Sequence, residues 1–163
     1  MRKCVLFAFI FALCSLPAAA QDYPKAEFFG GYQYTHLDPN FNASGWNASI
    51  AGNLNHWFGV AADFSGAYDS GVKFHTYMFG PVVSYRQPAR VTPFAHVLIG
   101  GARASGGGTS TSGFSIAVGG GMDAKVTDHL SWRILQGDWL MIRFSGTTDR
   151  KNARVSTGIV YRF

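Results

Sequence analysis

The last nine residues of the chain, 155–163, alternate strictly between two kinds of side chain. One parity carries the larger and mostly apolar side chains, Val155, Thr157, Ile159, Tyr161 and Phe163. Because successive side chains of a strand point to opposite faces, this pattern predicts a strand with one largely apolar face. An apolar face with aromatic residues at its end is typical of the closing strand of a transmembrane β-barrel, which meets lipid and then the membrane interface.

Seven further segments alternate in the same way and are separated by turn residues. They are 26–36, 46–54, 57–68, 72–86, 91–103, 114–126 and 130–144. Both parities of 91–103 are apolar, so its faces stay unassigned. Near Leu135 the parity slips, which predicts a β-bulge that turns Gln136 and Asp138 inward. The pattern predicts an all-β fold, a membrane-spanning up-and-down antiparallel barrel of about eight strands.

The composition fits a chain whose apolar residues are spread over alternate positions. It has 14 Phe, 7 Tyr, 4 Trp and 20 Gly, and only 14% of its residues are charged, against about 25% in ordinary soluble proteins. Beyond the first twenty residues, no apolar run is long enough for a transmembrane helix. The net charge of +5 is too small to indicate a nucleic-acid partner.

The first twenty residues have the features of a secretory signal peptide. Arg2 and Lys3 form a basic start, 5–13 is apolar, and Ala18-x-Ala20 fits a cleavage site. We therefore expect residues 1–20 to be removed and residues 21–163 to form one domain. Cys4 and Cys14 are the two cysteines of the sequence and both leave with the leader, so we expect no disulfide, metal or other cofactor.

The connections between the predicted strands differ in length. Those at 37–45, 104–113 and 145–153 are long, those at 55–56, 87–90 and 127–129 are short, and 69–71 is short where the pattern asks for a long one. Outer-membrane barrels have short periplasmic turns and longer external loops. The long connections are therefore predicted to be external, with both chain ends in the periplasm.

The alternation also predicts which polar side chains point into the barrel. The charged ones are Glu27, Asp63, Asp123, Lys125, Arg133, Asp138 and Arg162. Charges that leave water must be paired, so we expect an internal salt-bridge network.

Three stretches carry a resemblance to a known family: Phe28-Phe-Gly-Gly-Tyr-Gln-Tyr34, the alternating segment 115–125, and the terminal Tyr161-Arg-Phe163. Over residues 22–163 the chain resembles the small eight-stranded outer-membrane β-barrels, such as the OmpA transmembrane domain and OmpX-type proteins. The resemblance implies a place in the cell outer membrane, in contact with its lipids and with lipopolysaccharide. It also implies that Tyr161 and Phe163 are read by the barrel-assembly machinery. We expect a monomer.

The favoured function is a structural or surface-interaction role without catalysis, and the sequence does not identify a surface ligand. The alternative is a narrow porin-like channel for ions or very small solutes. In the last predicted external loop, Arg150, Lys151 and Arg154 form a small basic cluster that is a candidate contact for anions.

A weaker alternative is a lipid A-modifying enzyme. Some eight-stranded barrels have this activity and use a His-x-Ser pair, in which the histidine serves the serine as a base. His129-Leu-Ser131 has that spacing but lies at a predicted periplasmic turn, away from lipid A in the outer leaflet. The sequence therefore predicts no catalytic residues.

Overall fold

Eight antiparallel strands form one closed barrel in the computed structural model, which describes residues 23–37, 41–69, 71–86, 90–144 and 147–163. The strands are β1 (Ala26–Leu37), β2 (Phe41–Asn53), β3 (Phe58–Asp69), β4 (Val72–Ser84), β5 (Val91–Gly106), β6 (Thr109–Lys125), β7 (Leu130–Phe144) and β8 (Thr147–Arg162). Each strand pairs with the next, and β8 closes on β1. The predicted all-β barrel is confirmed. The predicted signal peptide, 1–20, lies outside the described residues.

The wall of the barrel presents apolar side chains outward and mostly polar or small ones inward. Neighbours on β1 show the contrast, since Tyr32 is 55% exposed and Gln33 is fully buried. Closing the sheet gives every strand a neighbour on both sides, which a bilayer requires because it offers the backbone no hydrogen bonds. No helix in the described part of the chain is long and apolar enough to cross a membrane.

The two strand features that were hardest to read from the sequence are resolved. On β5, His96 and Leu98 are buried in the barrel while Val97 and Ile99 face outward. On β7, Arg133 pairs with Asp123 of β6, and Leu135 pairs with Met122, the residue before Asp123. One residue of β7 is therefore extra at this point, and both Ile134 and Leu135 are exposed. The predicted bulge is confirmed, and Gln136 and Asp138 face inward.

The connections correct the sequence-based prediction. We call the end with connections 54–57, 85–90 and 126–129 the turn end, and the opposite end the hairpin end. The long loops predicted at 37–45, 104–113 and 145–153 are wrong, because β2, β6 and β8 begin earlier than predicted. The polar residues there continue the strands as hairpins, since beyond a membrane both faces of a strand meet water and polarity no longer marks its end.

The hairpin between β5 and β6 shows how tightly these strands are joined. Gly107 and Gly108 alone connect them, with φ angles of 57° and 82°. Positive φ at both central residues is the signature of a type I′ turn, whose twist matches that of the paired strands. Two adjacent glycines adopt it without steric cost, so the Gly-rich segment is a compact turn.

Candidate functional site

The interior of the barrel holds a group of ion pairs near the turn end. This turn-end ion cluster consists of Glu27, Arg86, Asp123, Arg133 and Arg162. Arg86 Nη2 lies 2.7 Å from Glu27 Oε1, and Arg133 Nε lies 2.8 Å from Asp123 Oδ1. Arg162 lies between the two carboxylates, 3.6 Å from Glu27 Oε2 and 3.4 Å from Asp123 Oδ2.

Arg133 is also held between two aromatic rings. Its guanidinium carbon lies 4.3 Å from the centre of the Phe29 ring and 4.2 Å from that of Phe94. The two rings come from β1 and β5, so the arginine on β7 fills the space between three parts of the wall. A guanidinium over an aromatic face is stabilised by the negative charge of that face.

A second group of charges lies farther along the barrel and is almost completely buried. This central ion cluster consists of Asp63, His96, Asp138 and Arg154. Arg154 Nη1 lies 2.8 Å from Asp63 Oδ1, and its Nη2 lies 2.6 Å from Asp138 Oδ2. His96 Nε2 lies 2.8 Å from Asp138 Oδ1, and since a carboxylate only accepts, this ring nitrogen is the donor.

Polar amides join and complete the two clusters. Gln136 accepts a bond from Arg133 Nη1 at 2.8 Å and donates one to Asp138 Oδ2 at 2.9 Å. Asn47 donates to Asp63 Oδ2 at 2.9 Å. Together the two clusters contain four carboxylates and four guanidinium groups, and each carboxylate lies beside at least one guanidinium. Buried charges require such partners.

Toward the hairpin end, the interior is filled largely by apolar side chains. They come from six consecutive strands, β2 to β7, and include Ala43, Ala67, Phe74, Met78, Leu98, Ala102, Ala117, Leu140 and Ile142. Each of these is no more than 2% exposed. A small cavity of about 30 Å³ lies on the turn-end side, lined by Asp63, His96, Asp123 and Arg133 among others, with space for about two waters.

A charged half and an apolar half therefore follow one another inside a closed eight-stranded wall. The family described as outer membrane protein beta-barrel domain matches residues 5–163. The chain belongs to this family. No curated relative matches the sequence.

Solved structures of small outer-membrane barrels share the fold of this family member at low sequence identity. Neisserial surface protein A is 14% identical with a TM-score of 0.65, covering 85% of this chain and 96% of its own. Ail of Yersinia pestis is 18% identical with a TM-score of 0.55, covering 86% and 99%. The N-terminal barrel of Pseudomonas aeruginosa OprF is 11% identical with a TM-score of 0.59, covering 87% and 100%. Family and neighbours together point to a Gram-negative outer membrane.

Six of the seven residues predicted for the internal network lie in the two clusters: Glu27, Asp63, Asp123, Arg133, Asp138 and Arg162. Lys125 does not, and its prediction is wrong. Its ammonium group pairs with Asp128 at 2.6 Å in the turn after β6, and its side chain is 49% exposed. The strand ends at Lys125, so its side chain reaches water instead of the interior. The hydrogen bond and charge of Lys125 hold the pKa of Asp128 below its usual range.

The predicted basic cluster for surface anions is also corrected. Arg154 is 1% exposed and belongs to the central ion cluster, because β8 begins at Thr147 and its alternation turns Arg154 inward. Arg150 and Lys151 lie on β8, and their side chains are outside the described part of the structure. The anion-binding group that the sequence indicated therefore loses one of its three members.

Besides Arg154, two residues of the ion clusters were not predicted from the sequence. Arg86 follows β4 and shares the parity of Val82 and Ser84, both buried, so continuing that alternation by one step would have found it. His96 lies on the strand whose two faces are both apolar in sequence. No signal in this segment distinguishes its lumen face from its lipid face.

The His-x-Ser pair is not arranged as a catalytic pair. His129 Nδ1 lies 3.1 Å from the carbonyl oxygen of Arg162, and its ring stacks on Tyr161. Ser131 is fully buried and faces the interior. Within the described residues, no group of three or more His, Cys, Asp or Glu side chains is placed to hold a metal ion.

Tyr161 and Phe163, the predicted assembly signal, lie at the seam where the barrel closes. The Phe163 ring packs edge-on against Tyr161 at 4.7 Å and against Phe28 of β1 at 5.6 Å. Its backbone N–H donates to Ala26. The two aromatics therefore form part of the outward surface at the turn end.

Proposed function

We propose that this protein is a closed barrel with a structural or surface-interaction role in the outer membrane, and that it is neither a channel nor an enzyme. One observation carries the proposal. The interior is crossed by Arg154, which pairs with β3 and β7 at once, and beyond it by buried apolar side chains such as Phe74 and Leu140. An ion that followed the barrel axis would have to displace both layers.

We further propose that the hairpin end faces the cell exterior. Outer-membrane barrels extend farther on the outside than on the periplasmic side. Here β5 and β6 continue to Gly106 and Thr109, past the last outward apolar residues. At the turn end the strands stop close to aromatic residues such as Trp57 and Tyr85.

The neighbours support a surface role. One is a neisserial surface protein, and another, Ail, is an attachment invasion locus protein. A structure of Ail is a complex with the heparin analogue sucrose octasulfate. These proteins share the fold of this chain, and the hairpin end is the part that would meet a partner outside the cell.

The test is single-channel conductance of protein 21–163 refolded into a planar bilayer, after heat-dependent gel mobility has verified folding. We expect no steady conductance. Reproducible conductance steps that change when Asp123→Asn or Arg133→Gln is introduced would instead support the porin-like alternative. Both residues line the small interior cavity, so a pore through it would respond to their charge.

A further inference from the structure

Three strands end their lipid-facing rows in a cation at the hairpin end. Counted from the turn end, the first charged residue in the outward row is Lys73 on β4, Arg103 on β5 and Arg143 on β7. All three cationic residues are exposed. We call Lys73, Arg103 and Arg143 the cationic rim.

The rim residues lie within four consecutive strands, β4 to β7. His75, two residues from Lys73, pairs with Arg103 across β4 and β5, and Arg103 pairs with Ser112 of β6. Arg143 of β7 pairs with Phe114, the next outward residue of β6. Exposed serine hydroxyls occupy the strand between the two arginines, and Ser110 accepts a bond from Arg103 Nη2 at 3.2 Å. The surface therefore combines cations and hydroxyl donors over four strands.

The height of the rim follows from strand geometry. From Val91, where the outward row of β5 begins, Arg103 is about 40 Å away along the strand. At the usual barrel tilt this is roughly 30 Å along the axis, against an apolar band of about 25 Å. Arg103 therefore lies just beyond the hydrocarbon layer, at the depth of lipid head groups.

The opposite side of the barrel has a different surface at the same height. On β1 to β3, aromatic and neutral polar side chains bond to one another: Tyr32 to Ser44 at 2.6 Å, Tyr34 to Asn42 at 3.0 Å and Trp46 to Tyr68 at 3.2 Å. The described outward side chains there include no lysine or arginine. Among the described side chains, the lysine and arginine residues at this height therefore lie on β4, β5 and β7. The acid nearest to Lys73 in sequence is Asp69, across the hairpin.

We propose that the cationic rim binds the phosphate groups of a lipopolysaccharide molecule packed against β4 to β7. Its side chains project sideways from the end of an apolar wall, where a lipid lies with its acyl chains on the wall and its head group at the rim. Arginine pairs with phosphate through two parallel hydrogen bonds. The choice of lipopolysaccharide over phospholipid rests on the hairpin end facing outward, as proposed above.

The experiment is native mass spectrometry of the refolded protein with lipid A carrying two, one or no phosphates. The double variant Arg103→Gln/Arg143→Gln removes two charges at the rim. The control is Arg90→Gln, which removes an exposed charge at the turn end. We expect the bisphosphorylated lipid to bind best, and the double variant to bind it about tenfold more weakly than the parent or the control.

Three results would overturn the proposal. The double variant would bind lipid A as the parent does, or the phosphate-free lipid would bind as well as the bisphosphorylated one. Alternatively, the double variant would weaken the binding of a heparin oligosaccharide or of phosphatidylglycerol vesicles more than it weakens the binding of lipid A. That result would assign the rim to another partner. Each result is independent of conductance, so it is distinguishable from failure of the closed-barrel proposal.

Discussion

Arg154 Nη1 lies 2.8 Å from Asp63 Oδ1 although the two residues belong to strands separated by β1 and β2. The same guanidinium pairs with Asp138 of β7. One side chain is therefore the shared ion-pair partner of two carboxylates on different sides of the interior. Both carboxylates are almost inaccessible to solvent, so their charges depend on this arginine.

Arg154→Met is expected to destabilise the barrel by about 3–5 kcal/mol, because it leaves two buried carboxylates with less counter-charge. Urea unfolding in phospholipid vesicles measures this difference. The triple variant Arg154→Met/Asp63→Asn/Asp138→Asn removes the stranded charges and should recover much of the loss. Lys125→Met breaks an exposed ion pair and should change little. Equal stability of Arg154→Met and the parent would contradict a role of this arginine in holding the fold.

Gly119→Ala is expected to cost about 1–3 kcal/mol through overpacking. A Cβ at Gly119 would collide with Asp138 Oδ1 and with the carbonyl oxygen of Gly137. The matched control is Gly137→Ala on the facing strand, because a Cβ there meets nothing within 4 Å. The measurement is again urea unfolding, and equal losses in the two variants would show that Asp138 and the backbone of β7 shift without cost to make room for the Cβ.

Phe29 and Phe94 should each stabilise the folded barrel through their contact with Arg133. A double-mutant cycle between Arg133→Met and Phe94→Leu is expected to give a coupling energy of about 0.5–2 kcal/mol. Phe29→Leu should give a similar value. Phe74→Leu lies in the apolar half and provides the control, with a coupling near zero. A coupling no larger than this control would mean that the rings act only as hydrophobic filling.

The sidedness of the barrel is open to a labelling test. Both cysteines of the sequence, Cys4 and Cys14, lie in the predicted leader, so a single thiol introduced into protein 21–163 reports its own position. On intact cells, a membrane-impermeant maleimide should label Ser110→Cys at the hairpin end and should leave Thr127→Cys unlabelled until the outer membrane is permeabilised. The reverse pattern would invert the proposed orientation.

The protein is expected to leave lipid A chemically unchanged. His129 and Ser131 are held by other contacts or face the interior, so they lack the mutual geometry that base-assisted attack requires. Mass spectrometry of lipid A from cells with and without the protein should give identical species. A new species that disappears in both His129→Ala and Ser131→Ala would restore the enzymatic alternative.

The alternation of side chains predicted most of the wall and part of the interior. Asp63 and Asp138 stand out in the sequence because they interrupt small or apolar neighbours. A bulge on β7 explains why Trp132 faces outward and Asp138 faces inward although both have even numbers. Alternation shows which face of a strand a residue is on, but not where the strand ends along the barrel axis. It therefore placed Lys125 inside the barrel, although β6 ends at this residue.

Other interior residues were missed for different physical reasons. The polar residues before Arg154, 145–153, were predicted to form a loop, but β8 already begins at Thr147. A strand that extends beyond the membrane stays paired with its neighbours although its residues are polar. His96 lies among residues that are apolar on both faces. Its inward neighbours on β5 are Phe94, which packs on Arg133, and Leu98, which belongs to the apolar cluster. Only the closed geometry distinguishes the two sides.

Two long-range ion pairs also have a mechanical consequence. Arg86 joins the end of β4 to Glu27 on β1, and Arg154 joins β8 to Asp63 on β3. Viewed down the axis, these two chords cross, one above the other. A ring held only by bonds along its circumference can flatten into an ellipse under lateral pressure. Crossed struts resist flattening in two directions, so this barrel should keep a round section when the surrounding membrane is compressed.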